Sequence, residues 1–110
     1  MLKREIKEKL AQKSISLERY DIDDLAWTKE DAENLINTIM KDKIGILGGD
    51  VYKLTATRLE PLCDNWFCEP AKAESEEEYY LRSKVESLRY IKNYPIAAEE
   101  DIVFSITFTD

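Results

Sequence analysis

The chain has 110 residues, a length that accommodates one domain of roughly 100–150 residues and leaves little for a second core. It is 44% hydrophobic and 35% charged with three Gly and three Pro, which excludes a disordered or low-complexity chain and predicts a packed interior. Sixteen basic against 23 acidic residues leave a net charge of −7, and there is no histidine, so the commonest general base, neutral metal ligand and physiological-pH switch are missing.

An acidic field opposes nucleic-acid phosphates and anionic headgroups, so the expectation is no nucleic-acid partner and no membrane partner. The opening residues MLKREIKEKL are charged at every second or third position and lack the apolar stretch of a signal peptide. No apolar run approaches the ~18 residues that span a bilayer, and a cytoplasmic location is expected. Cys63 and Cys68 are two thiols without two further soft ligands, which cannot close a tetrahedral site. Reduced thiols, no metal and no cofactor follow. Charge is uneven: residues 1–20 carry six basic and three acidic side chains, residues 21–110 ten and twenty, giving a leader of +3 and a body of −10.

Leu2, Ile6 and Leu10 recur every four residues and predict a short amphipathic helix. Thr28 precedes Ala32, Leu35, Ile36, Ile39 and Met40, which predicts a helix over 29–42 with Thr28 as N-cap, Glu30 and Asp31 at the positive pole, Lys41 and Lys43 at the negative pole, and Gly45 as the stop. Ile44–Leu47 and Val51–Leu59 read as two strands around a Gly48-Gly49 turn, with Tyr52, Leu54 and Ala56 sharing a face. A short strand over 65–68 fits between Pro61 and Pro70. Ser75 and Glu78 form a capping box, followed by Leu81, Val85, Leu88 and Ile91 at helical spacing and stopped by Pro95, which predicts a helix over 76–93. The closing stretch 101–110 reads as a half-buried strand with Phe104, Ile106 and Phe108 on one side and Ser105, Thr107 and Thr109 on the other. Segregated helices and strands predict an α+β fold: one domain over 1–110, a mainly antiparallel sheet packed by two or three amphipathic helices.

No catalytic constellation emerges. The acidic clusters at Asp21, Asp23 and Asp24, at Glu69 and Glu74–Glu78, and at Glu99–Asp101 read as solvated surface and helix-start charge, or as a partner-binding face. Gly48-Gly49-Asp50 reads as a turn with positive φ, the competing reading being a phosphate cradle. Aromatics beside carboxylates, as in Asp64-Asn-Trp66 and Glu76-Glu77-Glu78 before Tyr79-Tyr80, suit an interface with a basic protein.

Leu25-Ala-Trp-Thr28 leading into a helix, Ile44-Gly-Ile-Leu-Gly-Gly-Asp-Val-Tyr52, Asp64-Asn-Trp-Phe-Cys68 and the Ser83…Tyr90-Ile-x-x-Tyr94 helix together resemble immunity protein family forty of the bacterial polymorphic toxin systems, from about residue 15 to 108. The resemblance implies an α+β immunity protein, not an enzyme, that binds and neutralises a cognate toxin domain made by the same cell. A basic toxin, such as a nuclease, suits the acidic body. The candidate partner-binding residues are Asp50, Tyr52, Asp64, Trp66, Glu76, Glu77 and Glu78, with Asp50 expected as an exposed contact and Trp66 as a core residue. Two readings from other classes stand beside it: a small phosphate- or nucleotide-binding module on the Gly-Gly-Asp turn, and a dimeric structural domain pairing through its last strand. The oligomeric state is left open by the sequence.

Overall fold

Two local caps set the helices where the sequence predicts them. The Thr28 hydroxyl accepts from the Asp31 amide at 3.2 Å and starts α2 (Lys29–Thr38). Ser75 and Glu78 exchange reciprocal bonds of 3.1 and 3.0 Å and start α3 (Glu76–Asn93). The computed structural model describes residues 4–18 and 25–109, with side chains from Glu8 onward. The other elements are α1 (Arg4–Ala11), β1 (Ile15–Ser16), β2 (Leu25–Thr28), β3 (Ile46–Leu54), β4 (Leu59–Phe67) and β5 (Asp101–Phe108). Leu10 of the expected N-terminal stripe is buried in the core. The side chains of Leu2 and Ile6, and the cluster Asp21, Asp23 and Asp24, lie outside the described residues.

The strands form one antiparallel sheet in the order β1-β2-β5-β3-β4. This is the expected α+β architecture, with the last strand at its centre. Trp27, Val51, Phe104 and Ile106 face α2 and α3 and join Ala32, Leu35, Ile36, Ile39 and Ile91 in the main core. On the opposite face Leu17, Ala26 and Val103 form a smaller cluster flanked by Tyr52, Leu54 and Leu59. Because β5 has neighbours on both edges and side chains covered on both faces, Val103 and Ser105 are buried as fully as Phe104. The expected half-buried strand is thus an inner strand, and it has no free edge for a second copy.

Four further expectations are corrected. The first concerns Gly48-Gly49, which is not a turn: β3 runs straight through it, and the hairpin is closed at Thr55–Arg58, where the Thr55 amide donates to the Arg58 carbonyl at 2.9 Å. The glycines answer a packing demand instead. A Cβ on Gly49 would collide with the Trp66 ring and the Ser105 carbonyl, and one on Gly48, whose φ is +151°, would collide with the Trp66 carbonyl.

Second, β4 begins at Leu59 and includes Pro61, which an edge strand tolerates. A bulge follows: Asp50 pairs with Asn65 but Tyr52 with Pro61, so Leu62, Cys63 and Asp64 lie opposite Val51, and Cys63 takes a left-handed φ of +62°.

Third, α2 stops at Thr38 rather than near 42, and the cation at its negative end comes from another helix. Lys84 of α3 is 1% exposed and donates to the Ile39 and Asp42 carbonyls at 3.1 and 2.7 Å. Burial pulls its pKa down, and the nearby Asp42 opposes that shift.

Fourth, the apolar stripe of α3 does not define its buried side. Leu81 and Val85 are exposed, while Tyr79, Ser83, Lys84, Ser87 and Ile91 face inward. Each buried hydroxyl is used. Ser83 accepts from the Ile46 amide at 3.0 Å, Ser87 accepts from the Trp66 indole at 2.9 Å, and Tyr79 donates to the Cys68 carbonyl at 2.6 Å. Trp66 also stacks on Tyr90 with centroids 4.7 Å apart. Trp27, edge-on to Phe108, keeps an indole N–H with no hydrogen-bond partner among the described residues, a feature for which the packing offers no account.

The segment between β4 and α3 is held by one arginine. Arg82 donates twice to Glu74, at 2.5 and 2.8 Å, to Glu86 at 3.0 Å and to the Glu69 carbonyl at 2.7 Å. These bonds, and the Ala71 amide, hold the Glu74 pKa down at about 2.

Trp66→Ala removes a ring that fills the space above Gly49 and costs ~3–5 kcal/mol of stability in a denaturant titration, while Ser87→Ala strands the indole N–H and costs ~1–3 kcal/mol. A Ser87→Ala protein as stable as the parent contradicts the role assigned to that bond. Because the folded-state pKa of Glu74 lies below its ordinary 4.5, at about 2, its contribution is present above pH 4.5 and is lost as pH falls through that interval. Glu74→Gln should therefore flatten the acid limb of the melting-temperature profile, and parallel profiles for the two proteins refute the assignment.

Candidate functional site

The seven candidate residues fall in three places. Asp50 and Tyr52 point to the sheet face away from α2 and α3, because their cross-strand partners Ser105 and Val103 do so. Tyr52 is half-buried against Leu17, Ala26 and Val103. Asp50 is exposed, and its carboxylate makes no ion pair or hydrogen bond among the described residues.

Asp64 and Trp66 lie in the seam between β4 and α3. The Tyr94 hydroxyl donates to Asp64 at 2.6 Å, and burial together with that bond pushes the Tyr94 pKa up. Tyr90 and Tyr94 have centroids 6.0 Å apart, and beside them opens a cleft lined by Glu86, Arg89, Tyr90, Asn93, Tyr94 and Pro95. Trp66 is 8% exposed beneath α3, which places its indole in the core and out of reach of a partner.

Glu76, Glu77 and Glu78 are exposed at the positive end of α3. Glu78 is committed to the capping box, and the Ser75 amide lowers its pKa. The structure therefore separates the carboxylates at the start of α3 from Asp50, and it does not gather the seven into one surface.

A different grouping surrounds Asp50. Phe67 is 78% exposed and Leu47 40% exposed, and both line a depression with Gly48, Gly49, Asp50, Trp66 and Thr107. Phe67 pairs with Gly48, which has no side chain to shelter it. In the sequence Phe67 appears only within Asp64-Asn-Trp-Phe-Cys68 and receives no role, yet its signal is local: successive strand residues point to opposite faces, so a buried Trp66 implies an outward Phe67. A second apolar area lies on the outer side of α3, at Leu81 and Val85.

The Cys68 thiol donates to Glu86 at 2.9 Å, and burial followed by that carboxylate pushes its pKa up to about 11, which suppresses the nucleophilic thiolate. Both cysteines are free, Cys63 exposed and Cys68 buried. No group of three or more His, Cys, Asp or Glu among the described residues is arranged to hold a metal ion. No helix among them is long and apolar enough to cross a membrane. Gly48 and Gly49 sit in the ladder between β4 and β5 with no helix opening after them, so the loop that a phosphate cradle requires is not formed here.

The sequence model of one family, described as Immunity protein 40, matches residues 16–108. No curated protein and no solved structure matches the chain. The matched stretch contains α2, α3 and β2 to β5, and with them the Gly48-Gly49 packing, the Trp66 anchor and the depression beside Asp50. The chain belongs to the Immunity protein 40 family.

Proposed function

We propose that this protein is the immunity partner of a bacterial polymorphic toxin. Acting in the cytoplasm as a single domain over residues 1–110, it neutralises the toxin by direct stoichiometric binding, without a cofactor and without chemistry of its own. The observation that carries this reading is the family match over residues 16–108. Physical support comes from charge. The net charge of −7, concentrated in a body of −10, draws a cationic partner from a distance and raises the rate of encounter. A basic toxin is the natural counterpart, and a nuclease fits best, since carboxylates then occupy the field in which the enzyme holds substrate phosphates. The phosphate-binding alternative finds little support in glycines that serve sheet packing, and pairing through the last strand finds little in a strand with two neighbours.

Co-expression with the toxin encoded beside it should restore growth, and titration of the purified pair should saturate at one inhibitor per toxin. Rescue at far below one inhibitor per toxin, or no contact in a pull-down, contradicts the proposal. Association should slow as salt rises from about 50 to about 500 mM, over which the Debye length contracts from roughly 14 Å to roughly 4 Å. A flat salt profile removes the electrostatic part of the account while leaving the binding itself in place.

A further inference from the structure

An aromatic ring that is 78% exposed, here at the last residue of β4, is unusual in a sheet whose other large rings are buried or half-buried. Phe67 stands on the sheet face opposite α3, beside Leu47, Thr107 and Asp50. Its cross-strand partner must be Gly48, because any Cβ there meets the Trp66 carbonyl. The ring therefore stands over a floor without side chains. We propose that this patch, with Phe67 as its anchor and Asp50 as its charge, is the surface that seats the toxin. The complementary toxin surface is an apolar pocket for the ring with an arginine or lysine beside it. The inference rests on the immunity reading above and names the face that carries it out.

Three observations lead to this face. The first is rigidity. Directly behind the patch, α3 is bonded to the sheet at the Ile46 amide, the Cys68 carbonyl and the Trp66 indole, and the Cys68 amide donates to the Leu47 carbonyl at 2.9 Å. A ring on so fixed a backbone loses little freedom on binding, which favours tight association.

The second is charge. Asp50 makes no ion pair or hydrogen bond among the described residues, so its carboxylate is available to a cation. A second copy of this chain would set Asp50 close to Asp50 and −7 against −7, which repels; a basic partner is attracted.

The third is the contrast with the other apolar area. The stripe of Leu81 and Val85 on α3 lies between exposed charges of both signs, Glu77 one turn before it and Arg89 and Lys92 after it, so it offers a basic partner no consistent field. Of the other sequence candidates, Trp66 lies in the core, Asp64 is engaged by Tyr94 and Glu78 by its cap, while the exposed Glu76 and Glu77 stand at the start of α3, away from this face.

The test titrates Phe67→Ala, Asp50→Asn and the double variant Leu81→Ser/Val85→Ser against the toxin domain encoded beside this gene, with melting temperatures measured on each. Phe67→Ala should keep its melting temperature and bind at least about 30-fold more weakly, chiefly through faster dissociation. Asp50→Asn should bind about tenfold more weakly and reduce the salt dependence of association. The α3 double variant should bind within about threefold of the parent, as residues outside an interface do. A folded Phe67→Ala protein that binds like the parent overturns the proposal, and so does a loss confined to the α3 variant. A parent protein that dimerises in sedimentation, and no longer does so as Phe67→Ala, assigns the patch to a second copy and also overturns it. Failure of the parent to bind the toxin rejects the immunity reading itself, whereas binding that ignores Phe67 rejects this surface alone.

Discussion

The buried side of α3 is polar, and the rest of the structure depends on how that polarity is satisfied. Ser83, Ser87, Tyr79 and Lys84 would each carry a desolvation penalty beneath a helix unless paired. The four find their partners in three places: Ser83 at the start of β3, Ser87 and Tyr79 at the end of β4, and Lys84 on the carbonyls that close α2. One helix thereby fixes three others' positions by directional bonds, where an apolar face would tolerate sliding. Serines also let the helix come close. Gly45 lies under it with room for no side chain, since a Cβ there would stand 2.8 Å from the Tyr79 ring.

The same contacts explain why the sheet carries two glycines in succession. Trp66 is drawn inward by Ser87 and stacks on Tyr90, and its ring then covers Gly49 across the ladder. With the indole inside, strand alternation turns Phe67 outward, over Gly48. The exposed ring and the buried one are consequences of a single strand placement. On one face the hairpin is bonded to α3. On the other it presents an aromatic, an aliphatic and an exposed carboxylate without any loop between them and the scaffold, which is the arrangement that lets binding proceed with little reorganisation.

What could be read from the sequence was what local chemistry decides. Thr28 and the Ser75–Glu78 pair start their helices wherever the chain goes, because a cap bonds to amides within one turn. The α+β class, the limits of α3 and the antiparallel sheet follow from such signals together with period. Three things did not yield, each for a tertiary reason. Gly48-Gly49 has the local look of a turn, but the cause of the glycines is a tryptophan 17 residues away from the nearer of them in sequence. Leu81 and Val85 mark an apolar stripe, and a helical period identifies a stripe without saying which side the rest of the molecule covers. The cation at the end of α2 was sought within α2, at Lys41 and Lys43, whereas Lys84 arrives from another helix. For the candidate site, Asp50 was legible as an exposed carboxylate beside glycines. Phe67 could be reached from the sequence by one further step, since a core Trp66 in a strand turns its neighbour outward, but no local motif marks it.

Membership of an immunity family, a net charge of −7 and a fixed aromatic beside Asp50 are separate observations, and the proposed surface is the reading that uses all of them. Side-chain oxidation footprinting tests their conjunction most directly, because it reads exposure in the unaltered protein, free and bound to its toxin. The account predicts that Phe67, reactive in the free chain, becomes protected in the complex while Leu81 and Val85 keep their reactivity. Protection of Leu81 and Val85 with Phe67 unchanged would contradict it.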